Sequence, residues 1–248
     1  MKGQNRSSAV MQQRQEARDA LDDFPTPMWA TRAVCAELQK RGIDLARCTV
    51  REPCANRGYM VRPLFEYFGN VEASDVHDYG AGFAVEDYLF GPLPERVDWT
   101  FMNPPFRLAE QFLDRALATS GGVALFVRSA FLEGEERYRK TWSKNPPDLI
   151  LQFSTRVVIH KGVMRQAGER YWDAGADNGK DKPKGKWRNA SSATSYCWLI
   201  WMPKQIQMQP SFVHGTLFHW IGPRRPEFER EGDYAPLGDL AADTREDL

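Results

Sequence analysis

The stretch Val97-Asp-Trp-Thr-Phe-Met-Asn-Pro-Pro-Phe106 joins a predicted buried strand, residues 97–102, to the tetrapeptide Asn103-Pro104-Pro105-Phe106. Two consecutive prolines fix the backbone, end sheet pairing and leave carbonyl groups free to face a pocket. Ligands of open α/β sheets bind at this end of the strands. We therefore expect Asn103 and a neighbouring carbonyl to accept both hydrogens of a planar amino group, with Phe106 as the stacking face for its ring. The alternative is a proline-rich turn that only caps the next helix.

Strand and helix patterns alternate along the rest of the chain, which is typical of a parallel sheet covered by helices. We expect an α/β, Rossmann-like fold with a seven-stranded, mostly parallel sheet flanked by helices. Thr26 is a plausible cap for the first helix, which Gly42 ends. The predicted helices span 27–41, 59–68 and 108–118, and the predicted strands span 48–53, 71–76, 97–102, 122–127, 148–159 and 195–202, with a weak strand near Tyr88.

Composition limits the classes of protein to which the chain can belong. Its 248 residues suffice for one sizeable domain. Because 33 Lys and Arg balance 33 Asp and Glu, a nucleic-acid site must be a local basic patch. The four cysteines form no C-x-x-C pair and the histidines lack partners at ligand spacing, so we expect no metal. With no signal peptide and no apolar window of membrane length, the sequence predicts a cytoplasmic protein without a membrane partner.

Changes in composition divide the chain into a folded part and two tails. Residues 1–23 are polar and predict a flexible N-terminal tail. Residues 24–222 form the predicted domain, with an insertion at 161–193 that is rich in Gly, Asp, Asn and Lys. Residues 223–248 are Pro-rich and acidic, and predict a tail that wraps the surface or is disordered.

A second set of polar residues follows the predicted strands upstream of the tetrapeptide. The segment Glu52-Pro53-Cys54-Ala55-Asn56-Arg57-Gly58 joins the first strand to a helix, where a nucleotide-like cofactor meets a helix N-terminus. Asp75 closes the next strand about twenty residues on, a position from which an acid binds ribose hydroxyls. Neither G-x-G-x-x-G nor G-x-x-x-x-G-K-[ST] occurs, which disfavours NAD and ATP. These residues indicate an adenosine-bearing cofactor.

Over residues 24–202 the chain resembles the S-adenosylmethionine-dependent adenine-N6 DNA methyltransferases, of the small kind often carried by phages and prophages. The segment 52–58 resembles the family's first cofactor motif, usually acidic-Pro-x-x-Gly-x-Gly, with Asn56 in place of the first glycine. Asn can adopt the positive φ that this turn requires. The tetrapeptide 103–106 matches the catalytic motif, with Asn103 in place of the commoner Asp. Phe24-Pro25-Thr26-Pro27 resembles the motif that packs on the methionine end of the cofactor.

The resemblance implies a class I methyltransferase fold, S-adenosyl-L-methionine as cofactor and DNA as partner. It implies the activity of a site-specific adenine DNA methyltransferase, EC 2.1.1.72, as in restriction-modification. The target adenine is flipped from the duplex, and its amino group attacks the activated methyl without a protein nucleophile or a metal. The implied catalytic residues are Asn103, Pro104, Pro105 and Phe106, and the implied cofactor-binding residues are Thr26, Pro27, Glu52, Pro53, Cys54, Asn56, Gly58, Asp75 and Asp87.

Basic and aromatic residues concentrate in the predicted insertion. Between residues 156 and 188, nine Lys and Arg stand against four Asp and Glu, and Tyr171, Trp172 and Trp187 lie among them. Such a segment suits phosphate contact and strand insertion, although a solvated flexible loop would have the same composition. The candidate DNA-binding residues are Arg128, Lys161, Arg165, Lys182, Lys184, Lys186 and Arg188. For Arg128, a structural ion pair with Glu133 or Glu135 is the alternative.

Other functions fit the same tetrapeptide. A pocket for a planar amine would also serve an RNA adenine methyltransferase or a protein-glutamine methyltransferase. A catalytically inactive, methyltransferase-like module that only binds DNA is the alternative outside the enzymes, and the departure at Asn56 motivates it. Little of the chain is left for a separate target-recognition domain, so we expect a short or relaxed recognition sequence.

Overall fold

A mixed sheet with helices on both faces forms the frame of the molecule. In the computed structural model, the structure describes residues 22–176, 185–204 and 215–235. The first half contains α1 Met28–Lys40, β1 Thr49–Glu52, α2 Val61–Phe65, β2 Asn70–Asp75, β3 Ala84–Val85, β4 Val97–Met102, α3 Ala109–Thr119 and β5 Ser120–Arg128. The second half contains α4 Glu135–Arg137, β6 Leu149–Phe153, β7 Arg170–Asp173, β8 Lys186–Asn189, β9 Tyr196–Trp201, β10 Leu217–Ile221 and α5 Arg225–Phe228.

The strand order of the main sheet is β10-β6-β9-β5-β4-β1-β2-β3. Only β9 runs antiparallel, between β5 and β6, and the other pairs are parallel. The prediction of a mostly parallel sheet flanked by helices is therefore confirmed. The chain enters the sheet at β1 and extends it in both directions, to β2 on one side and β4 on the other. A crevice for a ligand forms at the carboxyl ends of strands on either side of such a reversal.

The described main sheet has eight strands, so the predicted count of seven is wrong. The additional strand is β10, which pairs in parallel with β6 along its whole length. The sequence Leu217-Phe-His-Trp-Ile221 is a short, mostly apolar run, which does not by itself distinguish a strand, and four of its five residues are exposed at the edge of the sheet. The weak strand predicted near Tyr88 lies slightly earlier, as β3. A separate two-stranded antiparallel ribbon, β7 with β8, lies within the predicted insertion.

Alternating side chains of the central strands supply the core on both faces of the sheet. On one face, Trp99, Phe101 and Trp198 pack with α1. On the other face, Met102 and Leu125 pack with α3. The run 122–127 is buried at nearly every position, as predicted for an interior strand covered on both sides. This packing fixes the carboxyl end of β4, where the tetrapeptide begins.

The N-terminal and C-terminal parts of the domain are joined by a buried ion pair. Arg32 of α1 donates hydrogen bonds to both carboxylate oxygens of Asp233, at 2.7 and 2.9 Å, and also binds Glu66. Arg32 and Asp233 are both almost inaccessible to solvent. Of the predicted acidic tail, residues 223–235 therefore pack against α1, and residues 236–248 lie outside the described ranges. No helix in the described ranges is long and apolar enough to span a membrane.

Removing Asp233 leaves the buried Arg32 guanidinium with Glu66 as its remaining carboxylate partner. We expect Asp233→Ala to lower the free energy of unfolding by about 3 kcal/mol, the usual cost of breaking a buried pair. Chemical denaturation measures the difference. The matched control is Glu135→Ala, which removes an exposed partner of Arg139 and should cost less than about 1 kcal/mol. Equal losses for the two variants would show that Asp233 contributes no more than a surface charge.

Candidate active site

A cleft opens at the carboxyl ends of β1, β2 and β4. It holds about 900 Å³ of space, part of it open to solvent. Its described lining includes five carboxylic acids and no Lys, Arg or His, so the electrostatic environment favours a positively charged ligand. The five acids are Asp22, Glu52, Asp75, Glu86 and Asp87.

Glu52, at the end of β1, is the most deeply buried acid of the cleft. It is 1% exposed, and neither carboxylate oxygen has a hydrogen-bond partner of regular geometry among the described residues. Burial first, and then the charge of Asp75, raise the pKa of Glu52 well above its usual range, a shift that the backbone of Cys54 offsets only in part. Burial and the same two acids also raise the pKa of the Cys54 thiol, which therefore stays protonated and is not an activated nucleophile.

The turn after β1 lies between Asp75 and the interior of the cleft. Asn56 has φ +50°, the one positive φ among the described residues other than glycine. Its backbone N–H donates to Asp75 Oδ2 at 2.9 Å, which ties the turn to the end of β2. Gly58 has φ +87°, and a Cβ there would lie 3.0 Å from the Phe83 ring, so both conformation and space favour glycine. Gly58 itself does not line the cleft; it shapes the turn that does.

Two acids that the sequence analysis assigned to the flexible tail lie in this site. Asp23 accepts a hydrogen bond from Asn56 Nδ2 at 2.8 Å and forms an ion pair with Arg57 at 2.9 Å. Asp22 accepts a hydrogen bond from the backbone N–H of Phe106 at 2.8 Å. Two residues of the predicted tail therefore contact the site, and residues 1–21 lie outside the described ranges. The polar sequence before Phe24 gave no signal of this, because both contacts are to loops distant in sequence.

The side chain of Asn103 is held in one orientation by the segment before α1. Its Nδ2 donates to the Phe24 carbonyl at 2.9 Å and to Thr26 Oγ1 at 3.0 Å. A carbonyl can only accept, so the amide nitrogen must face this side and Oδ1 the opposite one. Among the described residues, Oδ1 has no hydrogen-bond partner. The predicted helix-capping role of Thr26 is wrong, since its hydroxyl binds Asn103 and α1 has no side-chain cap.

The rest of the tetrapeptide forms a rigid turn into α3. The Pro105 carbonyl accepts the Leu108 N–H at 2.9 Å, whereas the Pro104 carbonyl has no partner in the described part of the chain. Phe106 contacts the Phe24 ring, with centroids 5.6 Å apart. Asn103 and Pro105 line the cleft, while Pro104 and Phe106 lie beside it.

The other predicted cofactor residues fall into two groups. Pro53 and Asp87 line the cleft, and Asp87 Oδ1 accepts the backbone N–H groups of Leu89 and Phe90, which fixes the loop that covers one side. Pro27 does not line the cleft. Its carbonyl instead accepts the first backbone hydrogen bond of α1, from Ala30 at 2.9 Å.

Of the predicted DNA-binding residues that the structure describes, Arg165 and Arg188 both lie beside Tyr171 of the ribbon. Arg165 pairs with Glu169 at 2.8 Å and lies over the Tyr171 ring, and Arg188 of β8 pairs with Asp173 at 2.8 Å. Lys161 and Lys186 are exposed, and Lys182 and Lys184 lie outside the described residues. On the ribbon, Trp172 and Trp187 pack edge to face and remain about half exposed.

Arg128, at the end of β5, lies at the tetrapeptide and apart from the ribbon. Its guanidinium carbon is 4.1 Å from the Phe106 ring centroid. The alternative of an ion pair with Glu133 or Glu135 is wrong, because Arg128 pairs with no carboxylate among the described residues and Glu135 binds Arg139. No group of three potential metal-ligating side chains occurs within the described ranges.

Comparisons with known proteins find similar structures but no matching sequence or family model. No family model matches the chain, and no curated protein matches its sequence. The type I restriction-modification system methyltransferase subunit from Streptococcus thermophilus superposes with a TM-score of 0.50 at 13% identity, over 92% of this chain and 53% of that one. A modification subunit of a type I restriction enzyme from Vibrio vulnificus gives a TM-score of 0.50 at 12% identity, over 91% of this chain and 53% of the other.

A third structure, described as an RNA methyltransferase from Pyrococcus horikoshii, gives a TM-score of 0.49 at 16% identity, over 79% of this chain and 95% of that one. The chain spans about half the length of the two restriction-modification subunits. The strand order, with one antiparallel strand between β5 and β6, and the two superpositions at a TM-score of 0.50 define the fold. The chain has the Rossmann-like fold of class I methyltransferases.

The positive φ of Asn56 makes the turn sensitive to the shape of the side chain. A β-branched residue in this region of φ costs about 1–2 kcal/mol, whereas glycine adopts it freely. We expect Asn56→Val to lower the free energy of unfolding by about 2 kcal/mol and Asn56→Gly to lower it by less than about 1 kcal/mol. Urea denaturation of both variants measures this. A valine variant as stable as the glycine variant would show that the turn relaxes without strain.

Proposed function

We propose that the chain transfers a methyl group from S-adenosyl-L-methionine to the N6 amino group of adenine in DNA. The observation that carries this proposal is the orientation of Asn103. With Nδ2 bound to Phe24 and Thr26, the side chain offers Oδ1 as an acceptor at the carboxyl end of β4. An exocyclic amine has two hydrogens to donate, and the Pro104 carbonyl is a second free acceptor in the same turn.

The charges of the cleft fit the cofactor. S-adenosyl-L-methionine carries a sulfonium and an ammonium group, and Glu52 is a buried carboxyl with no regular hydrogen-bond partner. A cationic group beside Glu52 would stabilise its ionised form. Pyrophosphate cofactors fit less well, because the described cleft lining contains no basic side chain. We assign cofactor binding to Glu52, Asn56, Asp75 and Asp87, with Thr26 and its neighbours at the methionine end.

When bound, the cofactor supplies a methyl group already activated for transfer by the sulfonium. The chain's own contribution is positioning. Asn103 Oδ1 and the Pro104 carbonyl accept hydrogen bonds from the two N–H groups of the amine and so orient the nitrogen lone pair. Phe106 offers a ring face on which the base stacks. A protein nucleophile is not required, and the raised pKa of Cys54 is consistent with that.

Three observations support DNA as the substrate. The two restriction-modification subunits share the fold at a TM-score of 0.50. A two-stranded ribbon has the width that the DNA major groove admits. The β7–β8 ribbon carries half-exposed Trp172 and Trp187 with Lys186 and Arg188 beside them, a combination of stacking and phosphate-binding groups.

The reaction can be tested directly on DNA. We expect purified protein, incubated with S-adenosyl-L-methionine and unmethylated DNA, to form N6-methyladenine that nucleoside digestion and mass spectrometry detect. Asn103→Ala removes one of the two amine acceptors and should lower the rate about 100-fold or more, as loss of one preorganised hydrogen-bonding group does. Asn145→Ala is the matched control, since this exposed Asn lies outside the cleft.

Other products would identify other substrates. Formation of methylcytosine would show that the target base is cytosine. Methylation of RNA or of a protein glutamine, with none of DNA, would favour the alternatives that share the planar amino group. Full activity of Asn103→Ala would exclude the role given to Asn103.

Cofactor binding separates an enzyme from an inactive DNA-binding module. At a cofactor concentration 100 times the Kd, binding should stabilise the protein by about 2.7 kcal/mol, seen as a rise in melting temperature. Asp75→Ala should abolish most of this rise, because it removes the carboxylate that fixes the turn and is assigned to the ribose. Asp78→Ala, an exposed acid just beyond β2, is the control. No shift for the unmodified protein would support the inactive module.

A further inference from the structure

The guanidinium of Arg128 occupies the surface that the proposed mechanism reserves for the target base. Strands β4 and β5 are parallel, and Met102 of β4 is in register with Leu125 of β5. Pro105 and Arg128 follow these two residues at the same distance along the chain. Its guanidinium carbon is 4.1 Å from the centroid of Phe106. A planar cation at this distance covers the ring much as a stacked base would.

Nothing else in the described part of the chain neutralises this charge. Arg128 has no ion pair there, and its buried Nε has no hydrogen-bond partner. Of the six other described arginines that lie over aromatic rings, four also bind carboxylates, namely Arg57, Arg137, Arg165 and Arg224, and Arg115 binds backbone carbonyls. The guanidinium of Arg128 is therefore held mainly by the ring face, and a stronger partner would displace it.

We propose that Arg128 is a displaceable cover of Phe106 that leaves the ring when the target base enters and then binds a phosphate of the same strand. This inference rests on the proposed function. A flipped nucleotide brings its own phosphates to the mouth of the site, and a guanidinium binds phosphate through two parallel hydrogen bonds. The exchange frees the stacking face and neutralises Arg128 in one step. Arg128 is thus a positioning residue for the bound strand and takes no part in methyl transfer.

The salt dependence of DNA binding tests this exchange. Each phosphate neutralised by a protein cation contributes about −0.9 to the slope of log K against log salt concentration. We expect Arg128→Ala to make this slope less steep by about one, to raise the KM for DNA about tenfold and to change kcat less than about twofold. Arg128→Lys keeps the charge and should retain the slope of the unmodified protein.

Two controls separate this role from a structural one. Arg139→Ala removes an exposed cation of the following segment, already paired with Glu135, and should leave slope and KM unchanged. Thermal unfolding of Arg128→Ala checks that the fold is retained, and Arg128→Lys provides the second variant if it is not. If Arg128→Ala methylates DNA and its slope of log K against log salt concentration is unchanged, the proposal that Arg128 leaves Phe106 to bind a phosphate is wrong. The proposed function is then unaffected.

The proposed function can also fail alone. If the unmodified protein binds DNA without methylating it, the activity is wrong, and the slope of Arg128→Ala still decides whether Arg128 reaches a phosphate. If the unmodified protein does not bind DNA, both proposals are overturned.

Discussion

The side-chain amide of Asn103 is fixed by two acceptors that lie 79 and 77 residues earlier in the chain, the Phe24 carbonyl and the Thr26 hydroxyl. These bonds connect the segment before α1 to the carboxyl end of β4, and both segments line the cleft. They decide which end of the amide faces the substrate, and a planar amine requires acceptors. Asp22 and Asp23 extend the same connection to Phe106 and to the turn at Asn56. The site therefore depends on the N-terminal segment as much as on the strand that carries its motif.

Electrostatics gives the cleft its second constraint. In the protein without a ligand, the ionised form of Glu52 is unfavourable because this carboxyl is buried without a regular hydrogen-bond partner and lies near Asp75. The pKa of Glu52 is raised for this reason. A cationic ligand would relieve this cost, so the arrangement favours binding of a sulfonium cofactor over the empty state. The positive charge of Arg128 lies at the other side of the tetrapeptide, over Phe106. Under the proposed function, the acids lie toward the cofactor and this cation lies toward the substrate, so the two halves of the site carry opposite charge.

The sequence predicted the sheet best where strands are buried on both faces. The run 122–127 and the strand 97–102 are both confirmed, because continuous apolar residues between turns have few other solutions in a folded domain. The edge of the sheet was missed. Strand β10 is an apolar run too short to be distinguished as a strand from sequence, and its pairing with the edge of β6 decides its structure. Two local interpretations also differ from the structure, since Thr26 does not cap α1 and Arg128 lies over Phe106 without an ion pair to Glu133 or Glu135 among the described residues.

By itself, the sequence determined the interior strands of the sheet and the position of the Asn-Pro-Pro-Phe turn, because burial and backbone stiffness are local properties of the residues. It also identified Asn56 as the residue that must accept a positive φ, which the structure gives as +50°. The tertiary structure alone decided which way the Asn103 amide faces, that Asp22 and Asp23 belong to the site, and that Arg128 covers Phe106. Each of these depends on a contact between segments distant in sequence, and no local pattern encodes the partner of such a contact.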